Sequence, residues 1–340
     1  MKKRWMVSML TVSLVVVILG VLVIQLVNDD PGEALVDEED TGQENTFEPH
    51  EGINQAPVPM VFERVGENEV NIEMTAQITD IEIDKETTYK AWTFNGEAPG
   101  PLIVVEEGDT INFTLKNMDP AVPHSMDFHA VHAAPDKKFI DVMPNEEGTF
   151  TYEASMPGVF MYHCGTPSIL QHIANGMHGI IIVQPADGYP TDGEIDREFT
   201  LIQNEWYPYN DLDAMINEEP TQVVFSTKAM NEDDLNTNGT TYSLKETPLQ
   251  AKVGEKIRIY INNVGPNEVS SFHVVGTIFD DVYIDGNPEN HAKGLQTVLL
   301  PASGGAVVEF TVKEAGQYKM VTHQFEHVEK GAAAILEVTE

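Results

Sequence analysis

The sequence predicts an all-β protein built from two tandem Greek-key β-sandwich or barrel domains. Short runs rich in Val, Ile, Thr and Phe alternate with Gly, Pro, Asn and Asp, as in Glu69–Met74 and Lys256–Ile261. The segment Gln184–Gly193, rich in Pro, Gly and Asp, is predicted to link the two domains. We therefore expect a first domain over residues 55–185 and a second over residues 186–340.

An internal repeat supports this count of two. Pro101–Gly108 is followed by Asn117, and Pro248–Gly254 is followed by Asn263, nine residues after the glycine in both cases. A repeat on this scale indicates two copies of one β module.

The N-terminus has a different composition. Within residues 1–28, Lys2, Lys3 and Arg4 precede an apolar run that is long enough to span a bilayer as a helix. The basic residues favour a cytoplasmic N-terminus, so we expect an uncleaved signal anchor with extracytoplasmic domains, secretion or a soluble periplasmic protein being the alternative. Residues 29–54 follow as a predicted disordered linker, in which 10 residues between positions 29 and 51 are Asp or Glu.

The most informative motif surrounds Cys164, the only cysteine of the chain, which excludes an intrachain disulfide. His172 lies eight residues after Cys164, and Met177 lies five residues further on. Thiolate, imidazole and thioether in one short segment are the ligands of a blue-copper centre, provided that one more histidine joins them.

A second motif supplies that histidine and suggests a second site. His124 and His129 are five residues apart, so in an extended segment they point to opposite faces. The same alternation separates His163 from Cys164. The pattern predicts one copper bound by His124, Cys164, His172 and Met177. It predicts another held by His129 and His163, so that one peptide bond connects the two sites.

Two histidines leave the second site incomplete, because a catalytic metal usually keeps three protein ligands and one open position. His323 and His273 are both candidates, and spacing does not choose between them. The second repeat has no cysteine and carries Ala332 where the first has Met177, so it is not expected to hold blue copper. The remaining histidines are predicted to be non-ligands: His50, His132, His178, His291 and His327.

These motifs together resemble those of copper-containing nitrite reductases, over roughly residues 55–340. The matching segments are Asn95–Pro101, His124–His129, His163–Cys164, His172 with Met177, Ser271–Gly276 and Val321–His323. The resemblance implies a homotrimer of tandem cupredoxin domains, with type 1 copper inside the first domain and type 2 copper between subunits. It also implies that His323 of a neighbouring subunit completes the type 2 site with His129 and His163.

The resemblance further implies a dissimilatory reaction, the one-electron reduction of nitrite to nitric oxide and water. Electrons would pass from type 1 to type 2 copper through Cys164 and His163. Asp127 and His273 are implied as the acid–base pair that supplies the two protons, joined through a water. Val275, two residues after His273, is expected to form an apolar wall of the substrate pocket.

The net charge of −36 excludes nucleic acid as a natural partner, since phosphate backbones bind Lys and Arg. It favours a basic electron donor, either a c-type cytochrome or a small cupredoxin. Two other functions compete. A laccase-like multicopper oxidase needs His-x-His pairs that this chain lacks, and has a histidine where Gly165 stands. A non-enzymatic blue-copper electron carrier would leave Asp127, His129 and the second-site histidines unexplained.

Overall fold

The computed structural model describes residues 63–84, 86–230 and 248–340. The predicted membrane segment (1–28) and acidic linker (29–54) lie outside the described residues. In the part of the chain that is described, no helix has both the length and the apolar character needed to cross a bilayer.

The first module consists of two facing sheets and two short helices. Its strands are β1 (Glu63–Gly66), β2 (Glu69–Glu82), β3 (Thr88–Phe94), β4 (Ile103–Glu106), β5 (Thr110–Asn117), β6 (Asp127–Phe128), β7 (Glu147–Glu153), β8 (Gly158–His163) and β9 (His178–Gln184). Its helices are α1 (Pro135–Lys138) and α2 (Ile169–Ala174). One sheet has the order β1-β2-β5-β7 with β3 beside β2, and the other has the order β4-β9-β8-β6.

The second module follows a 3₁₀ turn at Asp192–Glu194. Its elements are β10 (Arg197–Trp206), α3 (Leu212–Ile216), β11 (Gln222–Ser226), β12 (Leu249–Lys252), β13 (Lys256–Asn263), β14 (Ser270–Val274), β15 (Phe279–Ile284), β16 (His291–Leu295), β17 (Val298–Leu300), β18 (Gly305–Thr311), β19 (Gly316–Thr322), α4 (Phe325–Glu329) and β20 (Ala333–Thr339). The sheet orders are β11-β10-β13-β18-β15-β16 and β12-β20-β19-β14-β17.

The pairing of strands confirms the all-β class and the repeat. β2 pairs in parallel with β5 as β10 does with β13, and β4 pairs in parallel with β9 as β12 does with β20. Gly108 and Gly254, the glycines of the repeat, have φ of +92° and +90°, and an added Cβ would meet nothing within 4 Å at either. The left-handed backbone alone therefore explains both glycines.

Alternating side chains build the core of each module. In β2, Val70, Ile72 and Met74 point inward and the residues between them are exposed. The core of the first module also contains Cys164 and Met177, so the cysteine motif lies within the sandwich. The predicted linker is packed against the second module, because Tyr189 is buried and donates to the carbonyl oxygen of Gly286 (2.6 Å).

The outer face of the β8–β9 pair packs against the second module. Met161 and Ile180 of the first module share one buried cluster with Ile202 and Val307 of the second. The two faces of β8 therefore have different surroundings, one in the core of its own module and one against its neighbour. Side chains at the end of β8 can therefore point either into the core of the first module or toward the second module.

Candidate metal centres

The first group of ligand atoms lies inside the first module. Cys164 Sγ is 3.2 Å from His172 Nδ1 and 3.9 Å from His124 Nδ1, and the two Nδ1 atoms are 3.2 Å apart. All three side chains are buried. Two atoms bound to one ion at about 2.0–2.3 Å each are separated by roughly 3 to 4 Å, so the three donors fit a single ion.

Local structure explains how these side chains meet. Cys164 directly follows β8, and its N–H donates to the carbonyl oxygen of Met177 (3.1 Å). Met177 thus lies beside Cys164 and is fully buried. His172 lies in α2, and His124 is held by paired backbone hydrogen bonds with Val142. Thiolate and thioether with two imidazoles form a donor set that suits copper in both oxidation states.

Burial controls the protonation of this group. It raises the pKa of the Cys164 thiol, which therefore becomes a thiolate when a metal ion displaces its proton. Burial lowers the pKa of His172 to about 4 and also lowers the pKa of His124. Both imidazoles are consequently neutral near pH 7, which is the form that binds metal.

One buried contact of this group, between Asp119 and His124, was not predicted from the sequence motifs. Asp119 is fully buried, and its Oδ2 lies 3.2 Å from His124 Nε2. Burial by itself would raise the pKa of Asp119, but hydrogen bonds from the N–H groups of Ala121 and Val122 and from His124 hold it below its ordinary value. The only sequence signal was a carboxylate five residues before a ligand histidine, which has no established meaning.

The second group consists of Asp127, His129 and His163. Nε2 of His129 is 3.0 Å from Nε2 of His163, and Asp127 Oδ2 is 3.8 Å from the same His163 atom. His163 Nδ1 lies 2.9 Å from the carbonyl oxygen of Cys164. Because a carbonyl only accepts, Nδ1 carries the proton and Nε2 is the atom available for a metal. Burial lowers the pKa of His129, so its imidazole is also neutral.

Strand register places this second group. Asp127 of β6 lies opposite His163 of β8, so their side chains share one face of the sheet. Cys164 follows His163 and points to the opposite face, into the core. The structure therefore places the side chains of the two motifs in two separate groups of ligand atoms.

His273 and His323 form a separate pair in the second module. Their ring centroids are 5.3 Å apart, and His273 Nδ1 donates a hydrogen bond to the carbonyl oxygen of Gln296. Among the described residues, neither imidazole belongs to the groups of metal-ligand atoms that lie within 4.8 Å of one another. Val275, just after β14, is 47% exposed.

The pair lies on an exposed apolar surface. Phe325 packs against the His323 ring with centroids 5.1 Å apart and is 61% exposed. Leu299, opposite Ser271 and so on the same face as His273, is 63% exposed. The two histidines therefore lie among exposed apolar side chains.

Three of the other described histidines lie beside carboxylates or a backbone carbonyl oxygen. His291 Nε2 lies 2.8 Å from Asp281 Oδ1, and His327 Nε2 lies 3.2 Å from Glu268 Oε2. His178 is fully buried and its Nδ1 donates to the carbonyl oxygen of Ile173 (3.0 Å). Neither these three nor His132 joins a group of ligand atoms in the described residues.

Comparisons with known proteins identify the family of this chain. Models of the multicopper oxidase family match residues 75–188 and 215–340. The copper-containing nitrite reductase of Neisseria gonorrhoeae is 36% identical over 296 residues, which cover 83% of this chain and 71% of that protein. The enzyme of the same name from Pseudomonas chlororaphis is 30% identical over 85% of this chain and 82% of its own length.

A search of solved structures also finds copper nitrite reductases. The copper nitrite reductase of Nitrosomonas europaea superimposes with a TM-score of 0.71 at 40% identity, covering 80% of this chain and 94% of that chain. A blue copper oxidase from the same organism has a TM-score of 0.65 at 21% identity, a likeness that extends to the fold alone.

Proposed function

Because this chain belongs to the copper-containing nitrite reductases, we propose that its two groups of ligand atoms are the type 1 and type 2 copper sites of that activity. The protein is an oxidoreductase that uses copper to reduce nitrite to nitric oxide and water with one electron. The observation that carries the assignment is the position of His163 and Cys164, consecutive residues whose side chains belong to different groups.

The type 1 site is assigned to His124, Cys164, His172 and Met177. When bound, copper supplies one-electron redox chemistry at this site and a Lewis acid for nitrite at the other. The buried surroundings of this site exclude water and keep the imidazoles of His124 and His172 neutral. A single peptide unit then connects Cys164 to His163.

The type 2 site is assigned to His129 and His163 of one subunit and His323 of its neighbour in a homotrimer. Two lines of evidence support this. Among the residues that the structure describes, no third imidazole joins the pair His129–His163, and His323 lies among exposed apolar side chains. A catalytic metal site usually has three protein ligands and one open position. A site between subunits would bring His323 of one subunit to the pair His129–His163 of its neighbour and so supply the third ligand.

Asp127 and His273 are assigned as the groups that deliver protons. Asp127 Oδ2 lies 3.8 Å from His163 Nε2, so its carboxylate lies beside the nitrogen that would hold the copper. His273 Nδ1 is engaged with Gln296, which leaves Nε2 as the atom that takes and gives a proton. Val275 is assigned to the pocket wall, because it follows the His273 strand and exposes an apolar side chain.

The electron donor is assigned as a basic c-type cytochrome or small cupredoxin that docks over α2, the helix that carries His172. Helix α3 packs beside α2 through Ala174 and Met215, and Ile169 and Ile216 expose apolar side chains there. The charged residues of the α3 segment are all acidic, and they are Asp211, Asp213, Glu218 and Glu219. An apolar centre with an acidic rim fits a partner with a complementary basic rim.

The location is assigned as extracytoplasmic, with residues 1–28 as a membrane anchor. Its support is the sequence, in which three basic residues precede the apolar run. Protease treatment of intact spheroplasts tests this assignment. Digestion of the copper domains, with recovery of the N-terminal segment in the membrane fraction, is expected, and protection from the protease contradicts it.

Electron paramagnetic resonance of the copper-loaded protein, followed by a nitrite-dependent nitric oxide assay, tests the function. One type 1 and one type 2 signal per chain are expected, with nitric oxide formed from nitrite and a reduced donor. A type 1 signal alone would indicate an electron carrier. Reduction of oxygen without nitrite turnover would indicate an oxidase.

A further inference from the structure

The buried carboxylate of Asp119 faces one ligand of the first group from outside that group. His124 Nδ1 points toward Cys164 Sγ and His172 Nδ1, whereas His124 Nε2 points toward Asp119 Oδ2 at 3.2 Å. Both side chains are at most 1% exposed. One nitrogen of the ring therefore faces the ligand group, and the other faces an anion in a dry environment.

The direction of this hydrogen bond follows from its acceptor. A carboxylate only accepts, so the proton lies on Nε2 and the lone pair of Nδ1 faces the ligand group. An anionic acceptor behind a ligand imidazole fixes its tautomer and raises the basicity of the ligating nitrogen. In a low-dielectric interior this effect is stronger than in water.

The backbone holds Asp119 in place independently of His124. Its Oδ1 accepts hydrogen bonds from the N–H groups of Ala121 (2.8 Å) and Val122 (3.0 Å). The N–H of Asp119 itself donates to Asn117 Oδ1 (2.9 Å). Oδ1 thus fixes the turn and Oδ2 contacts the imidazole, so the two roles of the carboxylate are carried by different atoms.

The two ligand histidines are not equivalent in this respect. The His172 ring packs at 4.7 Å, edge to face, against Trp92. Within the described residues, no carboxylate is hydrogen-bonded to His172. The hydrogen bond to a buried carboxylate is therefore made by only one of the two imidazoles.

We propose that Asp119 is a positioning residue that lowers the reduction potential of type 1 copper by making His124 a stronger donor. The proposal rests on the function proposed above, in that type 1 copper occupies this group. Imidazoles suit Cu(II), whereas thiolate and thioether suit Cu(I). A more basic imidazole thus stabilises the oxidised ion and weakens the tendency of the site to accept an electron.

The substitution Asp119→Asn tests this directly. The amide retains an oxygen for the N–H groups of Ala121 and Val122 but presents an NH₂ group, which cannot accept, to His124 Nε2. Loss of an outer partner commonly costs 10-fold or more in metal affinity. If Cu(II) binding weakens about 10-fold relative to Cu(I), the potential rises by about 59 mV. Redox titration of the type 1 absorption band in the copper-loaded protein measures this shift.

Two further variants make the test specific. Asp119→Ser, which keeps a small acceptor for the turn but no charge, is expected to raise the potential as well. Asp141→Asn is the matched control. The Asp141 charge also acts on both imidazoles, but Asp141 is exposed and accepts from Thr166 Oγ1 (2.7 Å) rather than from a ring. Its removal is expected to shift the potential much less.

The outcomes distinguish the role of Asp119 from the proposed function of the protein. An unchanged potential in both Asp119 variants, or an equal rise in Asp141→Asn, overturns the role of Asp119. Failure of both Asp119 variants to bind type 1 copper also overturns it, because Asp119 would then assemble the site rather than set its potential. Absence of a type 1 signal from the unsubstituted protein would overturn the proposed function instead.

Discussion

His163 and Cys164 are neighbours in the chain, yet their side chains lie in two separate groups of ligand atoms. Cys164 Sγ meets His124 and His172 inside the first module, and His163 Nε2 meets His129 on the opposite face of the sheet. The hydrogen bond from His163 Nδ1 to the carbonyl oxygen of Cys164 joins these two residues a second time, in addition to their peptide bond.

Replacing Cys164 with alanine should remove the type 1 signal and the turnover driven by a protein donor. The type 2 signal should remain, because His129 and His163 lie on the other face of the sheet and keep their contacts. Electron paramagnetic resonance and donor-driven nitric oxide formation measure the two effects. If turnover with the protein donor survives, electrons do not enter through Cys164.

Mixed trimers test whether the type 2 site lies between subunits. His129→Ala and His323→Ala should each abolish type 2 copper when expressed alone. When the two are co-expressed in equal amounts, about a quarter of the interfaces would join an intact His129 to an intact His323, since the subunits assort independently around a cyclic trimer. Recovery of type 2 copper to that level is expected. No recovery would mean that all ligands come from one chain.

Asp127→Asn should lower nitrite turnover by roughly 100- to 10,000-fold, the usual contribution of a positioned acid or base. Type 2 copper should stay bound, because its ligands are imidazoles. Turnover measured against pH, together with copper content, checks this. The exposed Asp136→Asn serves as control, and equal activity of the two variants would remove Asp127 from proton delivery.

Reversing charges beside the His172 helix should slow reduction by a basic donor. The double variant Asp213→Lys with Glu219→Lys is expected to reduce kcat/KM for that donor by about 10-fold or more at low salt, with a weaker dependence on ionic strength. Turnover with a small neutral reductant should not change. Glu314→Lys, an exposed position in the second module, is the control, and an equal loss there would indicate a general charge effect.

Glu205 should make the folded protein less stable as the pH rises. Burial raises the pKa of Glu205 to about 7 from 4.5. Below pH 4.5 the carboxyl is protonated in both states, and between 4.5 and 7 the unfolded chain ionises first, which lowers stability by about 3 kcal/mol. Glu205→Gln should remove this loss in urea unfolding at pH 5 and pH 8, at equal copper content and subunit concentration. A variant with the pH dependence of the unsubstituted protein would contradict it.

Much of the fold followed from patterns that act locally. Alternation of apolar and polar residues identified strands such as β2, because successive side chains of a strand face opposite ways. The glycines and asparagines of the repeat identified two modules, since each copy needs the same left-handed turn. The packing of Tyr189 onto the second module was not predicted, because a segment rich in Pro, Gly and Asp carries no signal for its tertiary contacts.

The sequence by itself determined the chemistry: one thiol, a methionine and several histidines at spacings that alternate between two faces of a strand. Only the tertiary structure decided how Asp119 meets His124 and that His323 does not join the group that contains His129 in the described chain. The physical reason is that strand alternation fixes direction over a few residues. Contacts between distant segments depend on how turns and sheets fold back, which no local pattern encodes.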